Sequence, residues 1–98
     1  MIVVANRIPV APGYEQAFEN RFRDRARLVE HAPGFVRQEV LRPRTAGTPY
    51  IVMTHWQDEA SFRAWTDSAA FRAAHAHRPP DAMFTGPAQL EIHEVLDT

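Results

Sequence analysis

One histidine of this 98-residue chain occupies a position from which it could bind a metal. His75 lies four residues after Phe71, so a helix would place both side chains on one face. Alanines fill most of the neighbouring positions and would let a large flat ligand approach the helix backbone. A lone histidine beside small residues can be the axial ligand of haem iron. From spacing alone, however, an ordinary core or surface histidine remains the favoured interpretation.

The other four histidines give no further metal pattern. His77 follows His75 by two positions, so on a helix the two rings would point roughly 200° apart and could not hold one metal together. We expect His31, His55 and His93 to be capping or surface residues. The chain has no cysteine, which excludes disulfides, thiolate nucleophiles and iron–sulfur clusters. A tetrahedral zinc site is therefore not predicted.

Asn6 is the second residue whose side chain could have a chemical role. It lies in the β-branched run Ile2 to Ile8, where alternation puts it on the same face as the apolar side chains of Ile2, Val4 and Ile8. A buried amide on such a face needs a hydrogen-bond partner. A structural bond to a neighbouring backbone group is the alternative to a functional role. Trp65, in the same stretch as His75, would by its residue type be a core anchor.

These residues must be positioned by six predicted elements. Apolar runs and helical periodicity predict strands, a helix and a second helical region in the order β-α-β-β-α-β. Their predicted ranges are strand Ile2–Ile8, helix Tyr14–Glu30, strands Phe35–Arg42 and Tyr50–Gln57, a helical region Asp58–Arg78, loop Ala82–Pro87 and strand Leu90–Leu96. This order predicts one domain over residues 1–98, with an α+β ferredoxin-like fold and an antiparallel sheet carrying helices on one face.

Composition narrows the partners of this domain. The strands are apolar on both faces, whereas helices can cover only one, so we expect homodimerisation through the other face of the sheet. A formal net charge of -1 provides no basic field for nucleic acid or an anionic membrane surface. The sequence has no apolar run of the roughly 20 residues that a membrane span needs. We therefore expect a soluble cytoplasmic protein without nucleic-acid or membrane partners.

Three stretches together resemble a known family. They are "ANRIPV" at the start, "FENRFRDR" with the later "PGF", and "HWQDEASFRAWTDSAAFRAAHAHR". They resemble the IsdG-type haem-degrading monooxygenases, within the larger antibiotic-biosynthesis-monooxygenase-like group, over nearly the whole chain. The Asn of the first strand, the Trp of "FRAWTDS" and the His of "FRAAH" fall where that family keeps its Asn, Trp and His. The resemblance implies a fold that dimerises into an α+β barrel.

The resemblance also implies a role for each matching residue. His75 would be the proximal ligand of haem iron, and Asn6 would donate its amide N–H to reacting oxygen on the distal side. Trp65 would press on the macrocycle and ruffle it, while Phe22 and Phe71 would line the haem pocket. Haem would be both cofactor and substrate, opened at a meso carbon with release of iron. Electrons would come from an external reductase or another donor.

Two other functions and one other ligand remain open from the sequence. The same pocket could serve a cofactor-independent monooxygenase that acts on a small quinone-like substrate. The chain could also be a haem-binding protein without turnover. If the helix unwinds near Arg78, His77 could reach the position that we assign to His75.

Overall fold

The computed structural model describes all 98 residues and has the predicted order of elements, which is that of a ferredoxin-like fold. Four strands form one sheet, and three α-helices and two 3₁₀ turns lie between them. The bounds are β1 Ile2–Ile8, α1 Glu15–Arg23, a 3₁₀ turn Leu28–His31, β2 Phe35–Leu41, β3 Tyr50–Trp56, α2 Glu59–Thr66, α3 Ala69–Ala74, a 3₁₀ turn Asp81–Met83 and β4 Gln89–Glu94. The α+β prediction is therefore confirmed.

The sheet is antiparallel throughout, with strand order β2-β3-β1-β4. The first strand is thus central, and its residues are flanked by β3 on one side and β4 on the other. Asn6 lies opposite Val52 of β3 and Leu90 of β4. Directly paired residues of antiparallel strands share a face, so these three side chains lie on the same side of the sheet.

The apolar layer between sheet and helices is divided into two clusters. One contains Ile2 and Val4 of β1, packed with the buried side chains Val29, Trp56, Phe62 and Trp65. The other is centred on the buried side chains Phe18, Tyr50 and Met83, with Ile8 and Phe22 packed against it. Asn6 falls between Val4 and Ile8 on this face, so the polar residue lies where the apolar layer is interrupted.

The first helix is shorter than predicted. The sequence predicts a helix to Glu30, but α1 ends at Arg23 and Arg27 adopts a left-handed conformation with φ of 57°. The Arg25 guanidinium donates to the Phe22 carbonyl at 2.7 Å and so caps the end of α1. Phe18 and Val29, which the periodicity puts on one helical face, pack in different clusters. Tertiary packing therefore overrides helix propensity here.

The sequence predicts one helical region over Asp58–Arg78. In the structure this region is split into α2 and α3. Ser68 begins α3 as its N-cap, because its side-chain oxygen accepts from the Phe71 amide at 3.1 Å. Helix α3 ends at Ala74, and His75 is its C-cap residue with ψ of 13°. The predicted angle of roughly 200° between the two histidine side chains assumes that both lie on a helix. It does not apply here, because His77 lies beyond the end of α3.

Strand β1 has the predicted bounds, and the other three strands differ from theirs by one or two residues. The predicted loop Ala82–Pro87 includes the end of a 3₁₀ turn, and Phe84 forms an isolated bridge with Val10. The face of the sheet opposite the helices, which we call the open face, carries Ala5, Ile51 and Met53; Ala5 is buried, whereas Ile51 and Met53 are half-buried. No helix of the structure combines the length and apolar character that crossing a bilayer requires.

Candidate functional site

Asn6 presents an amide without a partner at the interruption of the apolar layer. Its side chain is half-buried, and it makes no side-chain hydrogen bond within the chain. The structural bond to a neighbouring backbone group that the sequence left open is therefore not formed. The facing Leu90 of β4 is 56% exposed, which leaves the space beside Asn6 accessible from the sheet edge. An amide so placed can donate to a ligand that enters there.

Trp65 and Phe71 form an aromatic wall at the first cluster. Trp65 is buried in the first cluster, and its ring meets that of Phe71 edge to face with centroids 5.7 Å apart. The second tryptophan, Trp56, is fully buried and donates its indole N–H to Thr54 at 2.9 Å. Trp56 is thus a satisfied core anchor, whereas the Trp65 indole N–H makes no hydrogen bond within the chain.

His75 follows this wall with its ring already oriented. Its ring lies 4.1 Å from the Phe71 ring, centroid to centroid. The Nδ1 atom lies 2.8 Å from the Phe71 carbonyl oxygen. A carbonyl can only accept, so Nδ1 carries the proton and a neutral ring has its free lone pair on Nε2. The side chain is exposed, which leaves Nε2 accessible to an incoming metal.

His77 lies beyond the end of α3, and its backbone, rather than its side chain, makes a hydrogen bond to another element. Its carbonyl oxygen accepts a hydrogen bond from the guanidinium of Arg21 on α1. The imidazole of His77 is exposed and makes no hydrogen bond comparable to the Nδ1 bond of His75. Of the two imidazoles, that of His75 is therefore the one held in a fixed tautomer by a hydrogen bond.

Phe22 belongs to the second cluster. It is half-buried there and packs on Phe18 with ring centroids 5.2 Å apart. Phe22 also lines a cavity of about 440 Å³, whose other lining residues are Glu19, Arg23, Val40, Leu41, Arg42 and Tyr50. Of the five predicted site residues, ring contacts bring together Trp65, Phe71 and His75, whereas Asn6 on β1 and Phe22 on α1 have no hydrogen bond or ring contact with these three.

A polar cluster fixes α1, and so Phe22, against the sheet. Glu19 accepts from Arg42 at 2.8 Å and from the Tyr50 hydroxyl at 2.5 Å. These two hydrogen bonds, with that from Arg42 first, lower the pKa of Glu19 to about 2. Burial, and then the bond to ionised Glu19, raise the pKa of Tyr50 to about 12. The Glu19 carboxylate is therefore ionised whenever the protein is near neutral pH, and it joins α1 to the β2–β3 hairpin.

Sequence reasoning was wrong about His55. It is the one buried polar residue, 6% exposed, whereas the sequence predicts a capping or surface role. Its Nε2 pairs with Glu39 at 2.9 Å on the open face of the sheet, and the buried Nδ1 has no partner. The alternation of β3, which puts His55 on the same face as Ile51 and Met53, could have indicated this burial.

The candidate residues supply the groups that an apolar slot would need. Aromatic rings belong to both clusters, one amide donor lies on the sheet, and one imidazole with a free Nε2 lies at the end of α3. Flat apolar ligands bind in slots of this composition, with a few polar groups setting their orientation. The alanines of α3 are exposed, so nothing bulky blocks an approach beside His75. These features fit a metal-bearing planar ligand such as haem.

Comparison with known proteins agrees with this chemistry. The family model described as antibiotic biosynthesis monooxygenase matches residues 1–77. A "Heme oxygenase (mycobilin-producing)" of Mycobacterium tuberculosis is 40% identical over 96 residues, covering 98% of this chain and 90% of the relative. A "Heme-degrading monooxygenase" of Shouchella clausii is 31% identical over 97 residues, covering 97% of this chain and 90% of the relative.

Solved structures show the same likeness. The heme-degrader MhuD of Mycobacterium tuberculosis, with two hemes bound in its active site, superposes with a TM-score of 0.82 and 39% identity, covering 100% of this chain and 99% of the other. SnoaB of Streptomyces nogalater, a cofactor-independent oxygenase, superposes with a TM-score of 0.74 and 28% identity, covering 99% of this chain and 94% of the other. Both kinds of activity thus occur on this fold.

Proposed function

Because the chain belongs to the antibiotic biosynthesis monooxygenase family, we propose that it is a haem-degrading monooxygenase that binds haem and oxidatively opens the porphyrin ring. The orientation of His75 carries this proposal. Its Nδ1–H is held by the Phe71 carbonyl at 2.8 Å, and metal-binding histidines typically donate their second ring N–H in this way. The names of the 40% and 31% identical relatives support the same substrate.

Haem is the substrate in this proposal, and the iron that it brings activates oxygen. His75 binds the iron through Nε2, and the carbonyl of Phe71 keeps the imidazole in the required tautomer. Asn6 would donate its amide N–H to the oxygen that reacts. The central strand fixes the backbone of Asn6, and a donor directed at developing charge stabilises the transition state.

The aromatic side chains exclude water and shape the macrocycle. Trp65 is held edge to face on Phe71 and packed in the first cluster, so it presents a rigid surface to the ligand. A rigid indole pressed against a flexible ring favours a distorted macrocycle, and distortion is one of the means by which a protein tunes haem. Phe22 closes the slot from α1. Electrons are supplied by an external reductase or another donor, since the chain has no cysteine pair or flavin-binding pattern.

We further propose that the protein acts as a homodimer that closes an α+β barrel. Its open sheet face carries Ala5, Ile51 and Met53, while His55 on that face has a buried Nδ1 without a partner. A second sheet packed on this face would bury the apolar side chains and offer His55 a partner. Met53→Glu is expected to make the protein monomeric in light scattering at micromolar concentration. A monomeric unmodified protein would contradict the dimer.

Titration with hemin, followed by the Soret band, tests the substrate. We expect a saturable shift that is lost in His75→Ala and retained in His77→Ala, because only His75 has an oriented ring. Ascorbate or a reductase, added in air with catalase present, is then expected to bleach the Soret band. Asn6→Ala should bind hemin within about threefold of the unmodified protein but degrade it about tenfold more slowly or worse, as for loss of one preorganised donor.

Two outcomes would favour the other functions. A persistent Soret band under reducing conditions would indicate haem binding without turnover. The absence of any saturable shift would favour a cofactor-independent oxygenase, the activity named for SnoaB at 28% identity. The oriented ring of His75 also serves as a C-cap of α3, so hemin titration rather than this bond distinguishes the alternatives.

A further inference from the structure

The chain between α3 and the buried Met83 is attached to the rest of the protein at few points. Met83 itself is anchored in the second cluster, and its carbonyl accepts from the Ala11 amide at 2.7 Å. Nearer to α3, the amides of His75 and Ala76 donate only to carbonyls of α3 itself. The ring of His75 likewise bonds within α3, to the Phe71 carbonyl. Such local bonds fix the shape of the turn, but they do not fix its position relative to α1 or the sheet.

One longer-range hydrogen bond joins this segment to α1. The Nη2 atom of Arg21 donates to the backbone carbonyl of His77, across 56 positions of sequence. Arg21 lies in the last turn of α1, one residue before Phe22. The bond therefore links the element that carries Phe22 to the segment that follows His75.

We propose that Arg21 is a positioning residue that holds the His77 carbonyl against α1. By fixing the chain two residues after His75, it keeps the His75 ring at the slot and keeps His77 from replacing it. The bond itself is independent of any ligand, whereas its consequence for iron binding rests on the function proposed above. A guanidinium is suited to this task because its charge strengthens the bond to a carbonyl.

Hydrogen–deuterium exchange of the ligand-free protein tests the tether. Arg21→Ala is expected to speed exchange in peptides spanning residues 75–83 by about three- to tenfold, the effect of losing one exposed charge-assisted bond. Arg21→Lys, which can still donate to a carbonyl, should restore most of the protection. Arg23→Ala is the matched control, because Arg23 lies on the same helix and bonds only to Asn20 within α1. Unchanged exchange in Arg21→Ala, or an equal change in Arg23→Ala, would overturn the tether.

The consequence for the ligand is tested with hemin and resonance Raman spectroscopy of the ferrous complex. The unmodified protein should give one iron–histidine stretching band, and Arg21→Ala should give a broadened or double band with about three- to tenfold weaker binding. Adding His77→Ala to Arg21→Ala should return a single band, because the rival ring is gone. A single unshifted band in Arg21→Ala would contradict the positioning role.

Hemin dimethyl ester separates positioning from a direct contact with the ligand. If Arg21 acts on the backbone, Arg21→Ala should weaken binding of the ester and of free hemin by the same factor. If the effect disappears with the ester, Arg21 binds a propionate and the positioning role is refuted. If the unmodified protein binds neither compound, the proposed function fails, while the exchange experiment still decides whether the tether exists.

Discussion

Glu19→Gln is expected to destabilise the protein in a manner that depends on pH. The carboxylate joins α1 to β2 and β3 through Arg42 and Tyr50, and these bonds lower its pKa from 4.5 to about 2. A decrease of that size corresponds at most to roughly 3 kcal/mol of stability at pH 7. The Glu19 side chain is 16% exposed, but that of Arg42 is 67% exposed. Solvent screening of the ion pair therefore reduces the expected loss to about 1.5–2 kcal/mol.

The sign follows from a folded-state pKa that lies below the unfolded one. The contribution of Glu19 is fully present above about pH 4.5 and is lost as the pH falls from 4.5 towards 2. Glu19→Gln removes the titrating group. The difference in unfolding free energy between the two proteins should therefore be largest at pH 7 and should shrink across this window.

Urea denaturation at pH 7, 4 and 3 measures this difference directly, with both proteins at the same concentration. Glu15→Gln is the matched control, since Glu15 lies on the same helix and contacts only the amide of Gly13. We expect the control to change stability by less than about 0.5 kcal/mol at pH 7. A loss in Glu19→Gln that is equal at pH 7 and pH 3 would show that shape rather than charge is responsible, and would refute the argument.

Substitutions at three further positions test the divided core and the proposed slot. Trp65→Ala should lower the unfolding free energy by about 3–5 kcal/mol in urea, whereas Trp65→Phe should cost less and retain hemin binding with slower ring opening. An equal ring-opening rate in Trp65→Phe would contradict the distorting role of the indole. Ser68→Ala should lower the unfolding free energy by about 1 kcal/mol through loss of the α3 N-cap, whereas Ser68→Asp should keep the cap. Equal melting temperatures for the two variants would argue against the cap. Leu90 lies at an exposed edge position that faces Asn6. Leu90→Asp should leave the melting temperature within a few degrees but weaken hemin binding several-fold. Unchanged hemin affinity would show that the slot does not extend to β4.

The order and type of the elements could be predicted because strand and helix periodicities are local. The observed bounds of β1, Ile2 and Ile8, are the predicted ones. Strands β2 and β3 each end one residue earlier than predicted. The breaks in the helices could not be predicted from periodicity. The end of α1 depends on where Val29 packs, which is a tertiary contact, and only the Ser68 cap left a signal in the sequence.

The sequence names candidate site residues but not their contacts. The pattern of residue types and the family resemblance name Asn6 and His75. The pattern does not reveal that Nδ1 of His75 bonds to the Phe71 carbonyl, because that bond requires His75 to be a C-cap rather than a helical residue. It also does not reveal the role of Arg21, whose partner is a backbone atom 56 positions away. Hydrogen bonds to backbone carbonyls cannot be predicted from residue types, because every residue has a carbonyl.

The division of the apolar layer has a consequence for the catalytic cycle. If haem occupies the interval between the two clusters, the substrate acts as a removable part of the protein interior. Binding then joins two halves that are otherwise connected through the sheet, and should raise the melting temperature with the logarithm of the ratio of haem concentration to Kd. Ring opening converts a rigid plate into a flexible chain that no longer fits between Phe22 and Trp65. Each turnover would thus loosen the enzyme around its own product, and the chemistry that consumes the substrate would also promote its release.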